Sequence, residues 1–320
     1  MTPAHPVLVV GDANVDLVLR GDVVPRFGQA EQLLDGAELV LGGSASIVAA
    51  GLARLGVPTA LAAVVGDDEF GRFCTTALRD AGVDTTHVRV DDAAPTGISV
   101  ILSAPDDRSI LTLVGSIPLL TAADVVAAVE RTGARWVHFA SPFLMPSFSA
   151  GIAELVAGLA ASGIGTSIDT NWDPSEQWAG LAEVLASVDV LLPNRAELAA
   201  IAAAVAPAGS DVSTPELAAA SVAALGARVV VKDGSAGGWS LDAAGTPVRA
   251  AGLALEVVDT TGAGDSFDAG YLAAIAHGVD DEHRRVRWAA VAGSLSTMAS
   301  GGTGAQPTLV ELDSHLGQSE

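Results

Sequence analysis

The chain has 320 residues, half of them apolar, and carries 16 Lys and Arg against 38 Asp and Glu, a formal charge of −22. Charged residues make up only 17% of it, below the roughly 25% of an average soluble protein, so the acidity comes from missing base rather than abundant acid. That balance excludes a disordered polyanion and argues against nucleic acid or an anionic membrane surface as the main partner, since both call for a basic face.

Lys232 is the only lysine and Cys74 the only cysteine, so no intramolecular disulfide and no cysteine metal cluster can form. Cys74 falls in an expected helix, where a buried inert thiol is the expectation. The opening residues lack a basic stretch followed by a long apolar run. No run of about 20 uncharged apolar residues suggests a membrane span. A cytoplasmic protein is expected.

In chain order, Val7 to Val10 reads as a buried strand ending at Gly11. A helix is expected over Ser46 to Leu55, with Gly56 as its stop, then a strand over Ala60 to Val65 and a helix over Asp68 to Asp80. Further strands are expected at Trp136 to Phe139, Gly165 to Ile168, Val188 to Leu192 and Arg228 to Val231. Helical patterns lie between them, at Ser147 to Ala161, Trp178 to Ala186, Arg195 to Val205 and Pro215 to Leu225. Strands rich in Val, Leu and Ile without alternation fit a parallel sheet covered on both faces, the signature of a layered α/β domain. Residues 15–40 and 95–115 break the rhythm with strand-like pieces and no helix. Thr96 to Ser103 and Ser109 to Val114 flank a turn at Ala104-Pro105-Asp106-Asp107-Arg108. These read as a small β-sheet lid, with an extension of the central sheet as the alternative.

The most informative stretch is Asp259-Thr260-Thr261-Gly262-Ala263-Gly264-Asp265-Ser266-Phe267, between an expected strand (Leu255 to Val258) and a helix carrying Phe267, Tyr271, Leu272 and Ile275. Gly262 and Gly264 allow a tight turn and a close ligand approach. The N–H groups of a helix start have no internal partner, and the helix dipole adds positive charge, so the turn suits an anion such as phosphate. Asp265 in that first turn can stay ionised and accept a proton. One turn thus supplies an anion stabiliser and a general base, the two parts phosphoryl transfer to an alcohol needs. An Asp after Gly is also an ordinary helix cap; the complete string in its setting carries the weight.

With its other motifs, the chain resembles the ribokinase-like (PfkB) carbohydrate kinases over nearly its whole length. The Asp259 to Asp265 string resembles the family's C-terminal signature. Gly11-Asp12-Ala13-Asn14-Val15-Asp16 resembles its opening strand and sugar-contacting acid, and Gly42-Gly43 before a helix ending Ala53-Arg54-Leu55-Gly56 its N-terminal signature. Val65-Gly66-Asp67-Asp68-Glu69-Phe70-Gly71, Pro95-Thr96-Gly97, Asn194-Arg195-Ala196-Glu197, the loop Val231 to Gly237 and Gly304-Ala305-Gln306-Pro307 follow in the family's order.

The resemblance implies a single three-layer α/β/α domain over residues 1–320, with a mostly parallel central sheet and a small β-sheet lid. It implies an ATP- and Mg²⁺-dependent sugar kinase in which Asp265 takes the proton of the acceptor hydroxyl and the Gly262, Ala263 and Gly264 backbone holds developing charge. Asn14, Asp16, Gly42 and Gly43, with Ser46, would hold the sugar. Asn194, Lys232, Asp233, Gly234, Ser235, Gly237 and Gly264 would serve the nucleotide, and Glu197 would organise Mg²⁺ through water. Asp259 and Thr261 match the positions beside which many members bind K⁺.

The residues themselves leave alternatives open. Asn14 and Asp16 could make local turns, Glu197 could complement a helix dipole, and Lys232 could be a solvated charge. Two positions depart from the family pattern: Ile47 replaces a sugar-contacting Asn, and Asp173 stands where an Arg is common. In the late helix, an Asn expected near the adenine is replaced by Ala289 or Ala290. Trp172 could stack on a ligand or pack in the core or lid. A nucleoside kinase and a catalytically silent sugar or nucleotide binder are the rival readings. A homodimer through exposed lid edges is a further expectation.

Overall fold

A computed structural model describes residues 3–28, 31–104 and 108–317. Its strands are β1 (Val7–Val10), β2 (Asn14–Gly21), β3 (Leu34–Gly42), β4 (Thr59–Gly66), β5 (Val88–Asp91), β6 (Gly97–Ser103), β7 (Arg108–Leu113), β8 (Trp136–Ala140), β9 (Gly165–Asp169), β10 (Val190–Leu191), β11 (Arg228–Lys232), β12 (Gly238–Leu241) and β13 (Val248–Ala250). They form a nine-stranded sheet in the order β13-β12-β11-β10-β9-β8-β1-β4-β5 and a four-stranded sheet in the order β3-β2-β6-β7. The large sheet is parallel except where β12 pairs with β11 and β13. In the small sheet β2 and β6 are parallel, while β3 and β7 run antiparallel to their neighbours. No described helix is long and apolar enough to cross a membrane.

The apolar strands bury both faces, as a parallel sheet between helical layers requires. In β1 the side chains alternate: Leu8 and Val10 join one core cluster, Val7 and Val9 the other. The three-layer α/β/α domain expected from the strand pattern is therefore present, and the smaller sheet stands where residues 15–40 and 95–115 break it. The middle of the expected 104–108 turn, residues 105–107, lies outside the described residues. Cys74 is buried, and burial first, then the charges of Asp16 and Asp68, pushes its thiol up to about 12.

Three expected elements need correction. Leu255 to Val258 is not a strand: the N–H groups of Val258 and Asp259 donate to the Thr297 carbonyl oxygen at the end of the helix Glu282–Ser296, at 2.8 and 3.2 Å. The chain has already left the sheet at β13, and Val257 and Val258 are exposed. The expected helix from Ser147 divides into Pro146–Ser149 and Ile152–Ala161. The one expected from Trp178 shortens to Leu181–Leu185, because Trp178 and Gly180 take left-handed backbone angles (φ 51° and 75°).

Candidate active site

On one side of the site the connection from β1 to β2 meets the helix Ser44–Arg54. That helix begins after Gly43 with no side-chain cap of its own. The buried Asp12 caps it from a distance, accepting the Ser44 and Ala45 N–H groups at 3.1 Å each. Gly43 has φ 87°, and a Cβ there would stand 2.7 Å from the Asp12 carbonyl and 2.8 Å from Asn14 Oδ1. A Cβ on Gly42 would fall 2.2 Å from Asp16 Oδ1. The two glycines thus let the backbone close over Asn14 and Asp16, whose side chains are joined by a 3.0 Å bond from Asn14 Nδ2 to Asp16 Oδ1.

The helix Ala263–Ala276 starts at Gly262, which has φ 70° and offers no side-chain cap. A Cβ on Gly262 would stand 2.5 Å from the Gly302 Cα, so the turn packs directly on the 301–306 loop. In its first turn Asp265 accepts a 2.5 Å hydrogen bond from the Ser44 hydroxyl to Oδ1. Burial pushes the Asp265 carboxyl up to about 7; the Ser44 bond and Lys232 pull it down, while Asp169 and Asp12 add to the rise.

Lys232 ends β11 and is not a solvated surface charge. Its side chain is 11% exposed, and Nζ lies 2.6 Å from Asp169 Oδ2 and 3.2 Å from Asp268 Oδ2. It lines a cavity of about 500 Å³ with Gly234, Ser235 and Gly237 on one side and Ala263 and Gly264 on the other. Asp233 is not among the lining residues; it pairs with Arg195 at 3.1 Å. Ala290 belongs to the wall, so the missing Asn of the late helix leaves it small and apolar.

Asn194 and Glu197 form a reciprocal capping box: Asn194 Oδ1 accepts the Ala196 and Glu197 N–H groups at 2.9 Å, and Glu197 Oε2 accepts the Asn194 N–H at 2.8 Å. Burial, then the charge of Asp169, raises the Glu197 carboxyl, with Lys232 opposing. Asp259 Oδ1 accepts the N–H and hydroxyl of Thr261 at 2.9 and 2.8 Å, and Oδ2 accepts the Gly301 N–H at 3.1 Å. Burial opposes ionisation of Asp259, but these bonds and Arg20, 3.6 Å away on β2, hold the carboxyl below its ordinary range.

Some expected contacts fall elsewhere. Ser46 is fully buried and its hydroxyl donates to the Asp12 carbonyl at 3.3 Å, so Ser44, two residues earlier, is the serine that meets Asp265. Ile47 is buried: its side chain leaves no room for a Cβ on Gly302, and its carbonyl accepts from Gln306 Nε2 at 2.9 Å. Asp173 closes a local turn, accepting N–H groups from Ser175, Gln177 and Trp178. Trp172, 46% exposed, stands edge-on to Trp178 with ring centroids 5.6 Å apart. Sequence reasoning missed Asp12, Ser44, Asp169 and Asp268 as site residues. Their local signals were that Asp12 stands inside the Gly11 to Asp16 motif, Ser44 directly follows Gly42-Gly43, and Asp268 lies three residues after Asp265 on one helix face.

Comparison with known proteins adds a common identity to this geometry. The family model described as pfkB family carbohydrate kinase matches residues 4–309. The fructokinase of Vibrio alginolyticus is 31% identical, over 98% of this chain and 100% of its own. The structure of Arabidopsis thaliana ribokinase complexed with ribose and ATP superposes with a TM-score of 0.83 at 27% identity, covering 99% of this chain and 100% of that one. The adenosine kinase of Sinorhizobium meliloti gives a TM-score of 0.82 at 25% identity, with 99% and 100% covered.

Proposed function

The chain belongs to the pfkB family of carbohydrate kinases, a phosphotransferase acting on an alcohol group, and from that premise we propose that it transfers the γ-phosphoryl group of ATP to a hydroxyl of a small sugar, with Asp265 as the general base. One observation carries the reading. Asp265 is bonded to Ser44, next to Gly43 and the Asn14–Asp16 pair, and adjoins Gly264, which lines the cavity of about 500 Å³. The base therefore stands where a sugar held by Asn14 and Asp16 would meet a phosphate entering that cavity.

Asn14, Asp16 and the Gly42-Gly43 backbone orient the sugar hydroxyls. Asp265 Oδ1 is taken by Ser44, so Oδ2 receives the acceptor's proton; a carboxyl held near neutrality suits that exchange. The Gly262–Gly264 turn holds charge developing on the transferred group, Lys232, Gly234, Ser235 and Gly237 flank the nucleotide, and closure of the small sheet excludes water.

Magnesium fits the surroundings of Asn194 and Glu197. Glu197 is buried near Asp169, and their negative charge is only partly offset by Lys232. When bound with its waters, the ion neutralises phosphate charge. The Asp259 carboxylate fits potassium less well, because both oxygens already accept hydrogen bonds and Arg20 supplies a positive charge 3.6 Å away. A potassium ion there would draw on main-chain oxygens.

The test is an ADP-release screen over ketoses, aldoses, sugar acids and nucleosides, with K⁺ present or replaced. Turnover on a sugar that falls about 10²- to 10⁴-fold in Asp265→Asn supports the reading; a variant that keeps most of it overturns the base assignment. Turnover on nucleosides alone supports the second reading, favoured by the half-exposed Trp172 ring and the likeness to adenosine kinase. Ligand-induced stabilisation without ADP release across the whole panel marks a silent binder. The reading places the enzyme in the cytoplasm. A homodimer through the small sheet accords with the exposed Leu39, Ile110, Leu111 and Leu113, and sedimentation of wild type against Leu111→Asp tests it.

A further inference from the structure

Asp169, Asp265 and Asp268 bring carboxylate oxygens within 4.8 Å of one another. The ammonium of the chain's single lysine bonds two of them, Asp169 and Asp268, and acts on Asp265 through its charge. Asp169 and Asp268 are 1% and 0% exposed. Asp268 Oδ2 faces Nζ, while its Oδ1 is buried and accepts no hydrogen bond. A Cβ on Gly264 would come within 3.7 Å of Nζ, so the ammonium lies against the Gly264 end of the turn, in the wall of the same cavity.

Charge balance decides how such a group can exist. Three carboxylates cannot all ionise around one buried ammonium. Burial raises the Asp268 carboxyl well above its ordinary range, with Lys232 opposing and Asp169 adding to the rise. Asp169 is lowered: burial opposes its ionisation, but Lys232 and a hydrogen bond with Asp268 outweigh it. Asp268 thus keeps its proton, and Lys232, Asp169 and Asp268 together are neutral. Asp265 is also faced by Asp12 from the β1–β2 connection and by Ser44 from its helix. Glu197, from the helix Arg195–Val205, and the buried His138 of β8 also face Lys232 and Asp169. Burial holds the His138 imidazole down to about 4, so among these groups Lys232 is the only cation at neutral pH.

Building on the kinase reading, we propose that Lys232 is a positioning residue of the transfer step: clamped by Asp169 and Asp268, its ammonium sets the proton affinity of Asp265 and holds a fixed positive charge beside the anion-binding turn. Lys232 is thus more than a nucleotide contact, and the buried ion pair does more than stabilise the fold. Its sign is testable, because removing the cation and removing its counter-anion act on Asp265 in opposite directions.

The experiment compares pH profiles of kcat/KM for wild type, Lys232→Met, Asp169→Asn and the double variant, with MgATP and whichever of ribose and fructose the wild type phosphorylates. The acid limb should move up by about one unit in Lys232→Met, move down in Asp169→Asn and return towards wild type in the double variant. Folded variants whose limbs coincide, differing only in thermal midpoint, would mean a purely structural ion pair. A second measurement needs neither substrate nor a lysine variant. Labelling with ε-¹⁵N-lysine yields a single side-chain resonance, which should titrate near neutrality in wild type and lose that step in Asp265→Asn. A resonance flat in wild type overturns the proposal. A resonance that titrates as expected in a protein that phosphorylates nothing overturns the kinase reading alone.

Discussion

Ser44→Ala isolates one term in the chemistry of Asp265. The substitution removes the 2.5 Å hydrogen bond to Asp265 Oδ1 but keeps the Ser44 backbone N–H that Asp12 accepts, so the helix start is preserved. A hydrogen bond to a charged group contributes about 1.5–3 kcal/mol. At the lower end, with about 1.4 kcal/mol per pKa unit, its loss raises a carboxyl already near 7 by roughly one unit. The ionised fraction at pH 7 then falls from about one half to about one in eleven, a loss of about five- to sixfold in kcat/KM. Above pH 9 the base is ionised in both proteins and the rates should converge. Initial rates between pH 5.5 and 9.5 at subsaturating sugar read both limits. A loss of equal size at every pH would refute the reasoning, since it would make Ser44 a positioning contact with no hold on the proton.

Asp265→Asn should cost activity yet add stability. The folded carboxyl, near 7, lies above its ordinary 3.8, so its contribution is fully present below about pH 4 and is lost as pH rises through 7; calorimetry should find the variant more stable by about 1–3 kcal/mol at pH 8 and little changed at pH 4. Gly42→Ala places a Cβ 2.2 Å from Asp16 Oδ1, so Asp16 must move; steady-state kinetics should show the sugar KM up about tenfold or more. Arg20→Met removes the guanidinium beside Asp259. Its thermal midpoint should respond to KCl over tetramethylammonium chloride more than that of wild type does.

What was legible from the residues was local. Val7 to Val10 is apolar at every position, and it is indeed a strand buried on both faces. The Gly262 turn needs a positive φ and sits in a string read without any distant partner. Leu255 to Val258 misled because a short apolar run becomes a strand only beside a free edge, and here its backbone is taken by the Thr297 carbonyl. For Lys232 the residues left a nucleotide contact and a solvated charge both open, for a related reason. A lone lysine is ordinarily solvated, and its burial depends on Asp169 and Asp268, which lie 63 and 36 residues away. The Ser44–Asp265 bond spans 221 residues and joins two helix starts that no local pattern brings together.

The charge of −22 acquires a structural meaning from these contacts. A protein so acidic repels a nucleotide at long range, although salt screens that field beyond about 8 Å. Attraction must therefore be supplied at short range and from fixed groups. The first turn of the helix Ala263–Ala276 provides dipoles, and Lys232 provides the cation beside them. Scarcity of base then becomes a constraint on the site: with one lysine in the chain, the positive charge near the anion-binding turn cannot be replaced by a neighbouring lysine. Placing that lysine between Asp169 and a protonated Asp268 fixes its position at the cost of part of its field. On the proposed reading magnesium supplies the rest, so turnover should fail on chelation, whereas the Lys232 ammonium, measured without substrate, should remain in place.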